Sequence, residues 1–150
     1  MSNVQLSAVI YASSPKKNPD RLAEQIIICR SVALENGCNI SGVFCDDEDI
    51  ALDKRPGLQE ALALIENKKG DFLVMTNAER LSSNFADYIQ IFVQVRQCHA
   101  DIKLIEQPDL NDSIDAFEFG DDEYRSKINS NVENFVITQK ALSRHLAKNL

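Results

Sequence analysis

Four short apolar runs, each separated from the next by a stretch with helical spacing, constrain this chain more than any other feature of its sequence. Val4 to Ala12 is apolar and β-branched and ends at a Ser-Ser-Pro turn signal. Ile40 to Cys45, Phe72 to Met75 and Ile102 to Ile105 are the other three runs. In the first interval Leu22, Ile26, Cys29, Ala33 and Leu34 recur at helical spacing, with Asp20 placed to cap and Asn36-Gly37 placed to stop. In the second, Pro56 suits a first helical turn and Leu58, Ala61, Leu62 and Ile65 form the stripe behind it. In the third, a polar stretch from Asn77 to Ser83 leads into a helix with Phe85, Ile89, Phe92 and Val93 on one face. Phe72 to Met75 is apolar without alternation, as a strand covered on both faces must be. Strands that alternate with helices are joined by right-handed crossovers, which build a mostly parallel sheet with helices on both faces. The expected class is therefore α/β, a three-layer sandwich around four to five strands.

The end of the chain differs in character. A polar loop is expected from Pro108 to Gly120, followed by a helical pattern to the terminus. Ile128, Val132, Phe135, Gln139, Leu142 and Leu146 step by four, three, four, three and four, which is a heptad seam with one polar position. A helix folded back on its own sheet would carry the same stripe. A sheet already flanked by three helices has less need of a fourth, which favours pairing with another chain, with Gln139 helping to set the register. Residues 1–110 then form the body, and 120–150 an oligomerisation helix of the same domain.

Composition narrows the function. The formal net charge is −7, with acidic runs at Asp46 to Asp49 and Asp121 to Glu123. Proteins that hold DNA alone draw most of their affinity from neutralised phosphates, so strong autonomous DNA binding is disfavoured and any DNA contact should be weak or indirect. Such acidic runs ordinarily read as solvated loops or helix starts. Cys29, Cys38, Cys45 and Cys98 are scattered, without the short spacing of a metal site, and fit reduced, mostly buried thiols; no metal or cofactor is expected. His99 and His145 are isolated. No leader pattern opens the chain and no run approaches membrane-spanning length, so the expectation is a cytoplasmic protein without a membrane partner.

Several fragments taken together resemble the catalytic domain of resolvase and invertase serine recombinases. They are Val9-Ile10-Tyr11-Ala12; Gln25 with Cys29-Arg30 and Glu35-Asn36-Gly37; Val43-Phe44 with Asp46; Arg55-Pro56-Gly57-Leu58-Gln59; Gly70-Asp71 with Val74; and Glu79-Arg80-Leu81-Ser82 with Asn84, Ala86 and Asp87. They stand in the family's order over Val4 to Glu106, and Arg55 to Gln59 is the most telling. The resemblance implies a resolvase-like fold with a long C-terminal dimerisation helix. It also implies a chemistry in which a serine at the end of the first strand attacks a DNA phosphodiester, forming a phosphoserine link. Arginines around that serine would stabilise charge on the phosphate oxygens.

This sequence departs from the family where that chemistry resides. The family's first-strand motif Tyr-Ala-Arg-Val-Ser reads here Tyr11, Ala12, Ser13, Ser14, Pro15, so Ser13 replaces an arginine and Pro15 replaces the nucleophile. Gln25, Asp46 and Arg55 match residues of the family's pocket. The segment Asp-Arg-Leu-x-Arg reads Glu79, Arg80, Leu81, Ser82, Ser83, which keeps Arg80 but puts serine at the second arginine. Losing one preorganised charged donor commonly costs about a hundredfold in rate. Two such losses and a missing nucleophile leave a vestigial pocket of Ser13, Ser14, Gln25, Asp46, Arg55, Glu79, Arg80 and Ser83. An alternative stays open: a register slip presenting the Ser14 hydroxyl would give an active recombinase. Against it, a one-residue shift at a strand end turns the side chain to the opposite face, and Pro15 restricts the backbone before it. Arg55 and Arg80 are expected to pair with acids such as Asp46 or Glu79 and so order the loops. The family appends a DNA-reading domain after the long helix, and none is expected by Leu150. The function anticipated is a degenerate recombinase fold serving as a dimerising interaction module. Its partner would be a second copy or a related recombinase.

Overall fold

The computed structural model describes residues 5–114, and the heptad seam from Ile128 to Leu146 lies outside the described residues. Four strands are present: β1 (Ser7–Ser14), β2 (Asn39–Asp47), β3 (Phe72–Met75) and β4 (Asp101–Leu104). They alternate with α1 (Pro19–Glu35), α2 (Pro56–Glu66) and α3 (Phe85–Gln97), and a short α4 (Leu110–Ile114) follows β4. The sheet order is β2-β1-β3-β4 and every pairing is parallel. The fold is the expected α/β resolvase-like sandwich, and its described sheet is wholly parallel.

The chain leaves β1 in one direction to reach β2 and then crosses back to β3 and β4, so right-handed connections place the helices on opposite faces. Alternating residues of β1 serve the two layers. Ala8 and Ile10 pack with Ile28, Cys29, Val32 and Ala33 of α1. Val9 and Tyr11 pack with Leu58, Ala61 and Ile65 of α2 and with Tyr88, Phe92 and Val95 of α3. All four residues of β3 are buried, as their unbroken apolar run requires.

Several local expectations are corrected. Asn18 caps α1, its side chain accepting from the N–H groups of Asp20 and Arg21, because Pro19 at the first helical position fixes where the helix starts. Asp20 lies instead in the first turn. The buried face of α1 is Leu22, Gln25, Ile28, Cys29, Val32 and Ala33, while Leu34 is 55% exposed. On α3 the buried face is Tyr88, Ile91, Phe92, Val95 and Arg96, while Phe85 is 49% exposed. In both helices two apolar stripes fit the helical period one residue apart, and contact with the sheet selects between them. The stripe of α2 is buried as expected. Part of the polar stretch after Pro108 is helical, since Asn111 in α4 is buried between the Tyr88 hydroxyl and the Ile102 carbonyl, bonding to both.

Among the described residues no helix is long and apolar enough to cross a membrane.

Candidate functional site

A parallel sheet offers its binding crevice at the carboxyl ends of the strands, where the strand order reverses. Here that point lies between β1 and β3. The two strands pair only from Ala8 to Ile10 on β1, whereas β1 stays paired with β2 as far as Ser14. Beyond β3 the chain turns away through a 3-10 turn, Ala78–Arg80, which brings Arg80 against the projecting end of β1.

Ser13 stands at the centre, fully buried. Gln25 reaches up from α1 and clamps its peptide on both sides. The Gln25 Nε2 donates to the Ser13 carbonyl at 2.7 Å, and the Ser13 N–H donates to Gln25 Oε1 at 3.1 Å. The Ser13 hydroxyl lies 2.6 Å from the Arg80 carbonyl and 3.0 Å from Glu48 Oε1, one proton serving two acceptors. Arg80 Nη1 in turn donates to the Ser13 carbonyl at 3.0 Å and pairs with Glu48 Oε1 at 2.8 Å, while its Nε donates to Asn77 Oδ1 at 3.2 Å.

Ser14, one residue on, faces the other way. Its hydroxyl accepts the N–H of Asn18 at 2.7 Å, at the start of α1, and the residue has no exposed surface. The strand alternation that sends Ser13 toward Arg80 sends Ser14 toward α1. Pro15 follows, exposed at the head of a tight turn in which Lys16 and Lys17 take positive φ values of 55° and 53°.

Asp46 is an anchor for α2. Its carboxylate accepts the N–H groups of Gly57 at 2.9 Å and Leu58 at 2.7 Å, and the Tyr11 hydroxyl at 2.9 Å. A negative charge bonded to the first N–H groups of a helix satisfies orphan donors and complements the helix dipole. Gly57 is needed for this approach, since a Cβ there would stand 2.6 Å from the Cys45 carbonyl. Burial holds the Tyr11 phenol well above its ordinary pKa, against the opposing hydrogen bond from Arg55, so it remains a neutral donor.

Arg55 does not pair with Asp46 or Glu79, contrary to expectation. Its guanidinium, almost wholly buried, donates to three backbone carbonyls: Ile50 at 2.9 Å, Arg80 at 2.8 Å and Glu48 at 3.1 Å. Arg80 likewise takes Glu48 rather than Glu79. The reason is geometric. Glu79 is exposed on the 3-10 turn, its backbone N–H held by Asn77, while the bend after β2 folds Glu48 back over the strand ends. The acidic run at Asp46 to Asp49 is thus mostly structural rather than solvated. Asp46 caps α2, Asp47 Oδ1 accepts the N–H groups of Lys16 and Asp49, and Glu48 pairs with Arg80. Only Asp49 among them is exposed.

Of the eight pocket residues expected from sequence, Ser13, Gln25, Asp46, Arg55 and Arg80 converge. Ser14 is adjacent but turned away, and Glu79 and Ser83 are exposed outside the cluster. Tyr11, Glu48 and Asn77 belong to it as well, beyond the eight expected pocket residues. Alternation along β1 was a signal for Tyr11, two residues before Ser13; only the chain's return after β2 reveals Glu48. Beside the cluster an open groove of about 860 Å³ is walled by Glu48, Arg55 and Ser82 and floored by Leu58, Leu81 and Ile91. The cysteines stand apart: burial pushes the Cys38 thiol up to about 11 and Cys29 further, which makes both poor nucleophiles.

A family model described as the resolvase N-terminal domain matches residues 8–128. No curated protein matches the chain. Among solved structures, the N-terminal catalytic domain of TP901-1 integrase is 20% identical, with a TM-score of 0.59, 95% of this chain covered and 98% of that one. The C-terminal catalytic domain of ISC1926 TnpA, an IS607-like serine recombinase, is also 20% identical, with a TM-score of 0.59 and 96% of each chain covered. A resolvase family site-specific recombinase from Streptococcus pneumoniae is 13% identical, with a TM-score of 0.61 over 97% of this chain and 99% of that one. At these identities the structural likeness speaks for the fold.

Proposed function

Since the chain belongs to the resolvase family of serine recombinases, whose N-terminal domain model spans residues 8–128, we propose that it is a catalytically degenerate member used as an interaction or regulatory module. The observation that carries this reading is the state of the hydroxyls at the end of β1. The family's nucleophile position holds Pro15, and the neighbouring Ser14 is sealed from solvent with its oxygen bonded to the Asn18 N–H. For Ser14 to attack a phosphodiester, the start of α1 would have to open and the strand end would have to rotate.

The cations support the same reading. Two positions at which the family carries arginine are Ser13 and Ser83. Of the two arginines that remain, Arg55 is committed to backbone carbonyls that tie the bend after β2 to the turn after β3. What the pocket does well is fasten four segments together: the end of β1, α1 through Gln25, the Glu48–Arg55 bend and the Ala78–Arg80 turn. A site retained as a fastener keeps the fold, and with it the surfaces by which such domains associate.

Association is assigned to the heptad seam Ile128, Val132, Phe135, Gln139, Leu142 and Leu146, pairing with a second copy or a related recombinase. DNA contact would be weak or indirect, in keeping with the net charge of −7. The decisive assay is incubation with supercoiled plasmid and a search for a covalent protein–DNA adduct. None is expected. An adduct that Ser14→Ala abolishes would overturn the degenerate reading and establish the alternative, an active recombinase using Ser14. For the seam, light scattering should show a dimer that Val132→Asp dissociates; a monomer at high micromolar concentration refutes it.

A further inference from the structure

The Glu48 carboxylate meets the Arg80 guanidinium and the Ser13 hydroxyl beyond the end of β1. Resting on the degenerate reading above, we infer that Glu48 is a tethered anion closing an oxyanion site made by the Arg80 guanidinium and the Ser13 hydroxyl, and that a phosphate group enters only when this carboxylate swings out.

Glu48 Oε1 is 2.8 Å from Arg80 Nη1 and 3.0 Å from the Ser13 hydroxyl oxygen, the contacts a phosphate oxygen would make. The rest of Arg80 is held in place independently of Glu48, its Nε on Asn77 Oδ1 and its Nη1 also on the Ser13 carbonyl. Removing the carboxylate therefore leaves the guanidinium aimed as before. The Glu48 backbone is fixed on both sides, its N–H donating to the Ser14 carbonyl at 2.9 Å and its carbonyl accepting from Arg55 at 3.1 Å. Only the side chain is at liberty to move. The Glu48 and Arg80 side chains are 20% and 17% exposed, so the pair sits at the mouth of the pocket, and the neighbouring groove gives the carboxylate room to rotate.

A group held on a short tether acts at an effective concentration of millimolar or more, with no translational entropy left to lose. A free phosphate at millimolar concentration competes poorly with it and also meets the charges of Asp47 and Asp49. The latch therefore excludes phosphates without filling the pocket with bulk.

The test compares wild type, Glu48→Gln, Glu48→Ala and Glu48→Ala/Arg80→Met, at constant ionic strength. Inorganic phosphate is titrated while backbone amide shifts at Ser13 and Arg80 are followed by NMR, whose peak dispersion also reports that each variant is folded. A single-stranded oligonucleotide is titrated in parallel by fluorescence anisotropy. Both Glu48 variants should bind phosphate about tenfold or more tightly than wild type, and Arg80→Met should abolish the gain. Gain for phosphate alone identifies a free-phosphate site, and gain for both probes a phosphodiester site. Equal binding by wild type and Glu48→Ala, no binding by either variant, or a gain that survives Arg80→Met would each overturn the latch. The adduct assay reads the degenerate reading separately: an active Ser14 would sink that reading while the titrations still decide Glu48.

Discussion

Replacing Asp46 by asparagine changes one atom of the cluster and separates a structural carboxylate from a catalytic one. Asp46 Oδ1 accepts the Gly57 N–H, and Oδ2 accepts both the Leu58 N–H and the Tyr11 hydroxyl. An asparagine amide has one acceptor oxygen, so either orientation points its NH₂ at a backbone donor. With nitrogen at the Oδ2 position, Tyr11 can turn its hydroxyl to accept, but the Leu58 N–H is orphaned. With nitrogen at Oδ1, the Gly57 N–H is orphaned instead. A buried donor left unpaired costs about 1–3 kcal/mol. Losing the charge at the α2 N-terminus adds roughly 0.3–1 kcal/mol, more where the site is buried. The sum is about 1–4 kcal/mol, or a fall in Tm on the order of 3–15 °C for a domain of this size. Urea titration followed by circular dichroism measures it directly, and an unchanged slope would confirm that the loss lies in stability. Tyr11→Phe, which removes a donor to Asp46 but orphans no backbone group, should cost only about 1 kcal/mol. An Asp46→Asn midpoint within about 0.5 kcal/mol of wild type would refute the reasoning, because surface substitutions alone behave so.

Three further outcomes are expected. Gln25→Ala removes both bonds to the Ser13 peptide and should destabilise by about 2–3 kcal/mol in urea titration; Gln25→Glu should also destabilise, because a carboxylate cannot donate to the Ser13 carbonyl. Gly57→Ala drives a methyl against the Cys45 carbonyl and should cost about 1–3 kcal/mol or more, read as a lower thermal midpoint. Stability should fall as pH rises above 9, the ordinary value from which burial raises Cys29 and Cys38. The unfolded chain ionises these thiols first, so it binds fewer protons than the native state through that window, and for Cys38 the loss is complete near 11. Replacing both with alanine should flatten the slope of denaturation free energy between pH 9 and 10; an unchanged slope would assign it elsewhere.

The sequence by itself determined the architecture and which residue types stand at the end of β1. Strand and helix periods alternate too regularly for another fold class, and proline at position 15 has no hydroxyl in any conformation. The all-apolar run Phe72 to Met75 was legible because a strand buried on both faces needs no alternation, and the α2 stripe because that helix had a single apolar face to offer. The buried faces of α1 and α3 were not, because two stripes one residue apart satisfy the helical period equally and only the sheet chooses. Tertiary structure alone decided what the surviving polar residues do. Arg55 bonds carbonyls of segments on either side of it in the chain, and Arg80 takes Glu48, thirty-two residues earlier, rather than Glu79 beside it. Hydrogen bonds and ion pairs depend on distance and direction in space. Those are fixed where β1 projects past β3 and the bend after β2 folds back, and spacing along the chain carries no record of that meeting.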